Sequence, residues 1–217
     1  MLSEEKQSRY KLFGFTFLLS IITYGYTLAN HSLSIDSETP IDPNFSLSLG
    51  RWGTNFIRYH LFNGHLVYFT LLLGLFFFTL SAIEISKLLD FKGYYKYFFC
   101  ALFVTFPQFS YQFIFNMQAD IIPIGFYIAI MVIKYFFISI NDFKNLKNKL
   151  LFLATSLLMM FVIALYQALA LVPVVLFLIL FLNKTFLKDF HFKNHVSSLL
   201  YFGLLMVLSV IFYYISV

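Results

Sequence analysis

Residues 121–140 read Ile-Ile-Pro-Ile-Gly-Phe-Tyr-Ile-Ala-Ile-Met-Val-Ile-Lys-Tyr-Phe-Phe-Ile-Ser-Ile, and Lys134 is their only charged side chain. The hydrocarbon layer of a bilayer is about 30 Å thick and a helix rises about 1.5 Å per residue, so roughly 20 apolar residues make one crossing. This stretch has that length. Lys134 lies close enough to its end for the aliphatic stem to carry the ammonium toward the interface. Working outward, six further apolar runs lie between polar breaks, at 12–29, 66–83, 97–115, 150–165, 168–182 and 196–217. The expected fold is therefore all-α and polytopic, with about seven transmembrane helices in one membrane-embedded module over 1–217. Only Tyr166 and Gln167 separate the fifth and sixth runs. One helix through both would be about 50 Å long, more than the bilayer core needs, so a reversal at this dipeptide is expected.

Composition points the same way. Apolar residues make up 60% of the 217 positions and charged residues 12%, against about 25% charged in a soluble domain. Such a chain has too little polar surface to coat a water-soluble globule, and its 31 phenylalanines exclude a disordered or collagenous one. The single cysteine, Cys100, permits no internal disulfide, and no Cys/His cluster offers a structural zinc site. The net charge of +5 is not read as a nucleic-acid footprint, because basic residues in such a chain chiefly mark the loops retained in the cytoplasm.

Their distribution gives an orientation. Lys6, Arg9 and Lys11 precede the first run; Lys87, Lys92 and Lys96 follow the second; Lys144, Lys147 and Lys149 follow the fourth; Lys184, Lys188 and Lys193 follow the sixth. Only Arg51 and Arg58 fall in the alternate connections. The amino terminus is expected in the cytoplasm and Val217 outside. A cleavable signal peptide is the rival reading of residues 12–29, with Thr27-Leu-Ala29 as an imperfect processing site and Tyr24 and Tyr26 as an interfacial belt against it.

The first extracytoplasmic loop, 30–65, holds most of the polar chemistry. Asp36, Glu38 and Asp42 lie close together and Pro40 and Pro43 punctuate them. Two readings stay open: a solvated acidic turn, or carboxylates that take a proton from a hydroxyl nucleophile or help to hold Mg²⁺ or Mn²⁺. Nothing in the sequence requires the metal. Further on, helical spacing of 100° per residue sets Leu49, Trp52, Phe56 and Tyr59 on one side and Arg51, Asn55 and Arg58 on another. An interfacial amphipathic helix is expected, its guanidinium groups facing either phosphate in a polar cavity or unselected lipid headgroups. Asp120, at the entrance of the fourth run, reads as an acidic group on the same side or as a helix cap. Tyr166 and Gln167 reach that side too, as turn residues or substrate contacts. His60 and His65 are poorly spaced for zinc, and no phosphate-binding glycine loop or nucleophile elbow is present.

The run Ser34-Ile-Asp36-Ser-Glu38 with Leu49-Gly-Arg51-Trp52-Gly53, then Tyr111-Gln-Phe113 with Asn116, and Leu165-Tyr166-Gln167-Ala168, resembles the type II glucosyltransferase family, which includes serotype-converting O-antigen glucosyltransferases. The resemblance spans about 30–167. It implies a fold similar to the GT-C membrane glycosyltransferases, an acidic residue of the first outer loop in catalysis, and a polyprenyl-phosphate sugar, usually glucose, as donor to a surface glycan. Members generally continue with further spans, which makes this chain read as the amino-terminal part of a longer architecture. The expected catalytic residues are Asp36, with Glu38 and Asp120 secondary. The expected substrate-binding residues are Arg51, Trp52, Arg58, Asn116, Tyr166 and Gln167. A non-catalytic transporter or flippase subunit for lipid-linked sugars would account equally well for the spans, but it should line a path through them with ionisable groups, and the spans hold little beyond Lys134.

Overall fold

The computed structural model describes residues 2–30, 43–62, 64, 67–115, 118–187 and 192–217. Among these the regular structure is entirely helical: α1 Leu2–Tyr24, α2 Tyr26–Ala29, α3 Pro43–Ser48, α4 Trp52–Asn55, a π-helical turn Phe56–Leu61, α5 Val67–Leu88, α6 Tyr94–Val104, α7 Gln108–Ile114, α8 Ile121–Ile140, α9 Leu146–Leu165, a 3₁₀ turn Gln167–Ala170, α10 Leu171–Leu187 and α11 Phe192–Ser216. Among the described residues four stretches are long and apolar enough to cross a membrane: Tyr68–Leu88, Ile121–Ile140, Leu146–Leu165 and Val196–Ser216. They correspond to the second, fourth, fifth and seventh expected runs.

The other three runs differ in detail. The run at 97–115 is two helices, because Pro107 has no N–H to donate and its ring blocks the preceding turn; α6 ends at Val104, where the Thr105 hydroxyl donates to the Ala101 carbonyl at 2.8 Å, and α7 restarts at Gln108. The sixth run becomes a 3₁₀ turn followed by α10, a helix of 17 residues. The first lies in α1, which begins well before its apolar part and carries Lys6, Arg9 and Lys11 in helical conformation. Likewise α9 starts at Leu146, capped by the Asn145 side chain accepting from Lys147 N at 3.0 Å, so Lys147 and Lys149 lie in its opening turns and not in a loop. Helix continues past the apolar stretch wherever its backbone can bond internally.

The chain forms two compact units, Met1–Pro43 with Ile57–Tyr127, and Asn44–Phe56 with Ile128–Val217. In the first, α1 packs on α5 and α6. Leu71, Leu75, Phe78 and Ala82 recur at helical spacing on the buried face of α5, with Leu12, Tyr24, Cys100, Val104 and Phe113 against them. Phe78 is the hub, its ring 4.5 Å from Phe109, 5.0 Å from Phe103 and 5.5 Å from Phe113. Thr16, Ser20, Thr79 and Ser86 are fully buried while Leu18 is 59% and Ile22 70% exposed. This polar-in, apolar-out pattern is the reverse of a soluble globule and suits a surface bathed in lipid, where helices associate through small residues and inward polar groups. Thr16 donates within its own helix to Leu12 O at 2.8 Å and Ser86 to Ile83 O at 2.7 Å, while the Ser20 and Thr79 hydroxyls lie 3.4 Å apart between α1 and α5.

The second unit is held by an aromatic cluster. The Phe136 ring of α8 meets Phe152 of α9 at 6.4 Å, Phe177 of α10 at 5.9 Å and Phe202 of α11 at 5.4 Å, and Phe177 stacks flat on Phe202 at 4.1 Å. Phe152 and Phe177 would stand about 37 Å apart in one straight helix, yet both touch the same ring. The chain therefore turns back between them, at Tyr166, whose backbone is extended (φ −161°, ψ 117°), as the length of the apolar stretch required.

Candidate functional site

In the second unit the site is built from a helix end. Gly50 N donates to Leu47 O at 2.9 Å and Arg51 N to Ser46 O at 2.8 Å, with Gly50 at φ +72°. This pair of bonds around a left-handed residue is the Schellman termination of α3. A side chain at Gly50 would be strained by φ and would also run into the Tyr213 hydroxyl. The reversal delivers Arg51 at the start of α4 with its side chain half-buried.

Two groups then hold the Arg51 guanidinium. Its Nε donates to Gln167 Oε1 at 3.3 Å, and its carbon sits 4.3 Å from the Tyr166 ring centroid, within the range of a cation–π contact. Gln167 is fixed in turn: its Nε2 donates to Leu49 O at 2.8 Å and lies 3.2 Å from the Tyr213 hydroxyl, which donates to Gly50 O at 3.0 Å. Among the described residues no carboxylate pairs with Arg51. Around this core, Trp52 Nε1 donates to Ser216 Oγ at 3.0 Å and its ring meets Phe161 at 5.8 Å. The Thr54 hydroxyl donates to Leu165 O at 2.6 Å, satisfying a carbonyl that the end of α9 leaves open. Gly53 allows this approach, since a Cβ there would stand 3.0 Å from the backbone of Ala164 and Leu165.

In the first unit, Arg58 and Asp120 form a buried ion pair, Nη2 to Oδ1 at 3.4 Å, with residue exposures of 5% and 1%. The same carboxylate oxygen accepts from Ile121 N at 2.8 Å, the cap at the head of α8 that the sequence suggested. Gly74 packs so tightly beside this corner that a Cβ would collide with the Ala119 carbonyl.

The expected amphipathic helix is thereby corrected. Leu49, Gly50 and Arg51 form a turn, α4 covers only Trp52–Asn55, and a π-helical turn follows, so the 100° register fails beyond Asn55. The partition of residues nevertheless follows the expected sense, with Asn55 and Arg58 buried and Leu49 and Phe56 exposed. Of the expected site residues, Arg51, Tyr166 and Gln167 come together, Trp52 sits beside them in the chain, and Arg58 and Asp120 hold one another. Asp36, Glu38 and Asn116 lie outside the described residues. Among those described, no three His, Cys, Asp or Glu side chains gather as metal ligands do. Sequence reasoning missed Tyr213, Ser216, Thr54 and Phe161. Counting spans puts Tyr213 and Gln167 at the same end, but only the packing of α11 on α9 shows that they meet.

The family description Glucosyl transferase GtrII matches residues 25–217. The chain belongs to that family. Every site residue named above falls within the matched region, and the GtrII membership makes this all-helical membrane protein a member of a glucosyltransferase family, as the motifs around Arg51 and Gln167 suggested. No curated protein matches the GtrII chain, and no solved structure does so either.

Proposed function

We propose that the chain transfers glucose from a polyprenyl-phosphate donor to a surface glycan of the O-antigen kind, on the outer face of the bacterial inner membrane. In this reading the seven apolar runs all span the membrane in a GT-C-like arrangement, with the amino terminus in the cytoplasm. The observation that carries it is Arg51: a half-buried guanidinium in a glucosyltransferase family member, steadied by Gln167 through Nε and by the face of the Tyr166 ring. A guanidinium fork matches phosphate oxygens, and in a partly dehydrated site its charge acts far more strongly than in bulk water. Outside the cytoplasm nucleotide sugars are not at hand, so the donor must arrive through the membrane on a lipid.

In the proposed reaction an acceptor hydroxyl oxygen attacks the anomeric carbon and the bond from that carbon to the phosphate oxygen breaks. The hydroxyl proton passes to Asp36, and the negative charge that develops on the departing polyprenyl phosphate is met by Arg51. A single displacement inverts the anomeric configuration. Glu38 and Asp120 are secondary acidic groups, Arg58 a second cation, and Trp52, Asn116, Tyr166 and Gln167 complete the substrate contacts. Mg²⁺ or Mn²⁺ would suit the carboxylates if a metal takes part.

The test supplies membranes with labelled polyprenyl-phosphate glucose and compares wild type with Asp36→Asn and Arg51→Ala at equal protein level. Loss of transfer in both is expected. Undiminished labelling in both variants rejects the site, and a product of retained configuration rejects the single displacement.

A further inference from the structure

The last turn of α11 touches the chain on both sides of Arg51. The Tyr213 hydroxyl donates to Gly50 O at 3.0 Å, and Trp52 Nε1 donates to Ser216 Oγ at 3.0 Å. Tyr213 and Ser216 are three apart, so one helix face carries both. The phenol gives its only proton to Gly50 O, which leaves its oxygen to accept from Gln167 Nε2 at 3.2 Å. The second Nε2 proton goes to Leu49 O at 2.8 Å, so the Gln167 amide cannot turn over and its oxygen faces Arg51 Nε at 3.3 Å. Ser216 is likewise committed, its hydroxyl donating to Tyr213 O at 2.7 Å and keeping a lone pair for the indole. These ties are additional to those that shape the turn. The bonds from Gly50 N to Leu47 O and from Arg51 N to Ser46 O end α3 locally, and the unit is packed around the Phe136, Phe177 and Phe202 rings. What Tyr213 and Ser216 add is the place of Arg51 against Tyr166 and Gln167.

We propose that Tyr213 and Ser216 are positioning residues for glucosyl transfer: they bracket Arg51 and set where its guanidinium stands, without touching substrate themselves. This rests on the reading above, in which Arg51 meets the departing phosphate. Stabilisation of a developing charge requires the donor to be in place before the charge appears, and a displacement of about 1 Å can cost up to roughly a hundred-fold in rate. The phosphate gains charge as its bond to the anomeric carbon breaks. Loosening the bracket therefore lowers kcat more than it raises the KM for the donor.

The full chain in membranes, supplied with labelled polyprenyl-phosphate glucose, gives kcat and donor KM for each variant, and melting in detergent reports folding. Tyr213→Phe deletes one oxygen and should lower kcat roughly ten-fold, with donor KM and melting temperature close to wild type. Ser216→Ala should do the same to a smaller extent, and it carries the test should Tyr213→Phe fail to fold. Tyr214→Phe, the same change at the exposed neighbour, should behave as wild type. In an Arg51→Lys background, which lacks the Nε donor that Gln167 holds, Tyr213→Phe should cost little more, because the tyrosine acts through the arginine. Full kcat in Tyr213→Phe and Ser216→Ala, with transfer abolished by Arg51→Ala, overturns the bracket and leaves the donor reading standing. Undiminished transfer by Arg51→Ala removes that reading and the bracket with it. A raised KM at unchanged kcat, a loss that follows the melting temperature, or an equal fractional loss in the Arg51→Lys background also overturns the bracket.

Discussion

The carbon of the Arg51 guanidinium lies 4.3 Å from the centre of the Tyr166 ring, while Nε of the same group donates to Gln167. Two consecutive residues at the break between α9 and α10 therefore grip one cation from a loop more than a hundred positions earlier. The planar group is held by one face and one edge, which fixes the direction of its remaining donors.

The grip should be measurable in transfer rates. Arg51→Ala should be the most damaging change. Gln167→Ala removes a hydrogen bond to a charged group, worth about 1.5–3 kcal/mol, and frees the Leu49 carbonyl, so transfer should fall roughly ten-fold or more. Tyr166→Leu should cost only a few-fold, in keeping with about 0.5–2 kcal/mol for a cation–π contact. Initial rates in membranes at matched protein level give the order, and a wild-type rate for Gln167→Ala would remove the positioning role.

Gly50→Ala forces an L side chain into the left-handed region, costing about 1–2 kcal/mol, and presses on the Tyr213 hydroxyl. Thermal unfolding in detergent should show the loss. Adding Tyr213→Phe removes the colliding oxygen but leaves the backbone strain, so the double variant should recover only partly; full recovery would mean that φ is not the main constraint.

Glycines elsewhere should divide by the space around them. Gly74→Val has to displace the Ala119 carbonyl and should reduce the yield of folded protein sharply. Gly14 and Gly203 face open space, and alanine at either should be neutral or stabilising by up to about 1 kcal/mol through helix propensity. Melting curves of the three variants decide this, and equal behaviour would contradict the close approach of α5 to the Ala119 backbone.

Arg58 and Asp120 should show the asymmetry of a buried pair. Removing either alone leaves a charge without its partner and should cost about 3–5 kcal/mol, whereas Arg58→Met with Asp120→Asn should cost less than the sum. A double-mutant cycle on unfolding reads the coupling, and additive losses would show that the 3.4 Å contact contributes little.

Much of the fold was legible because the bilayer imposes a length on apolar helices. That length located four spanning stretches and the turn at Tyr166. It did not reveal where helices start, since Lys147 and Lys149 bond their backbones in α9 as well as any apolar residue would. It also passed over Pro107, whose missing donor divides an unbroken apolar run. In the site, residue type marked Arg51 and Gln167, but the α-helical wheel drawn through Arg51, Asn55 and Arg58 was wrong in register, because a turn precedes α4 and a π-helical turn follows it.

Hydrophobicity and charge act residue by residue, so the order of residues alone determined that this chain is a helical membrane protein and where its few polar side chains fall between the apolar runs. Contact between distant residues depends on how faces of different helices pack. Tertiary structure alone therefore decided that Tyr213 closes on Gly50, that Gln167 takes Arg51, and that Asp120 takes Arg58. Each needs two helix rotations to agree within a few ångströms, and an apolar run carries no record of the rotation its neighbour adopts.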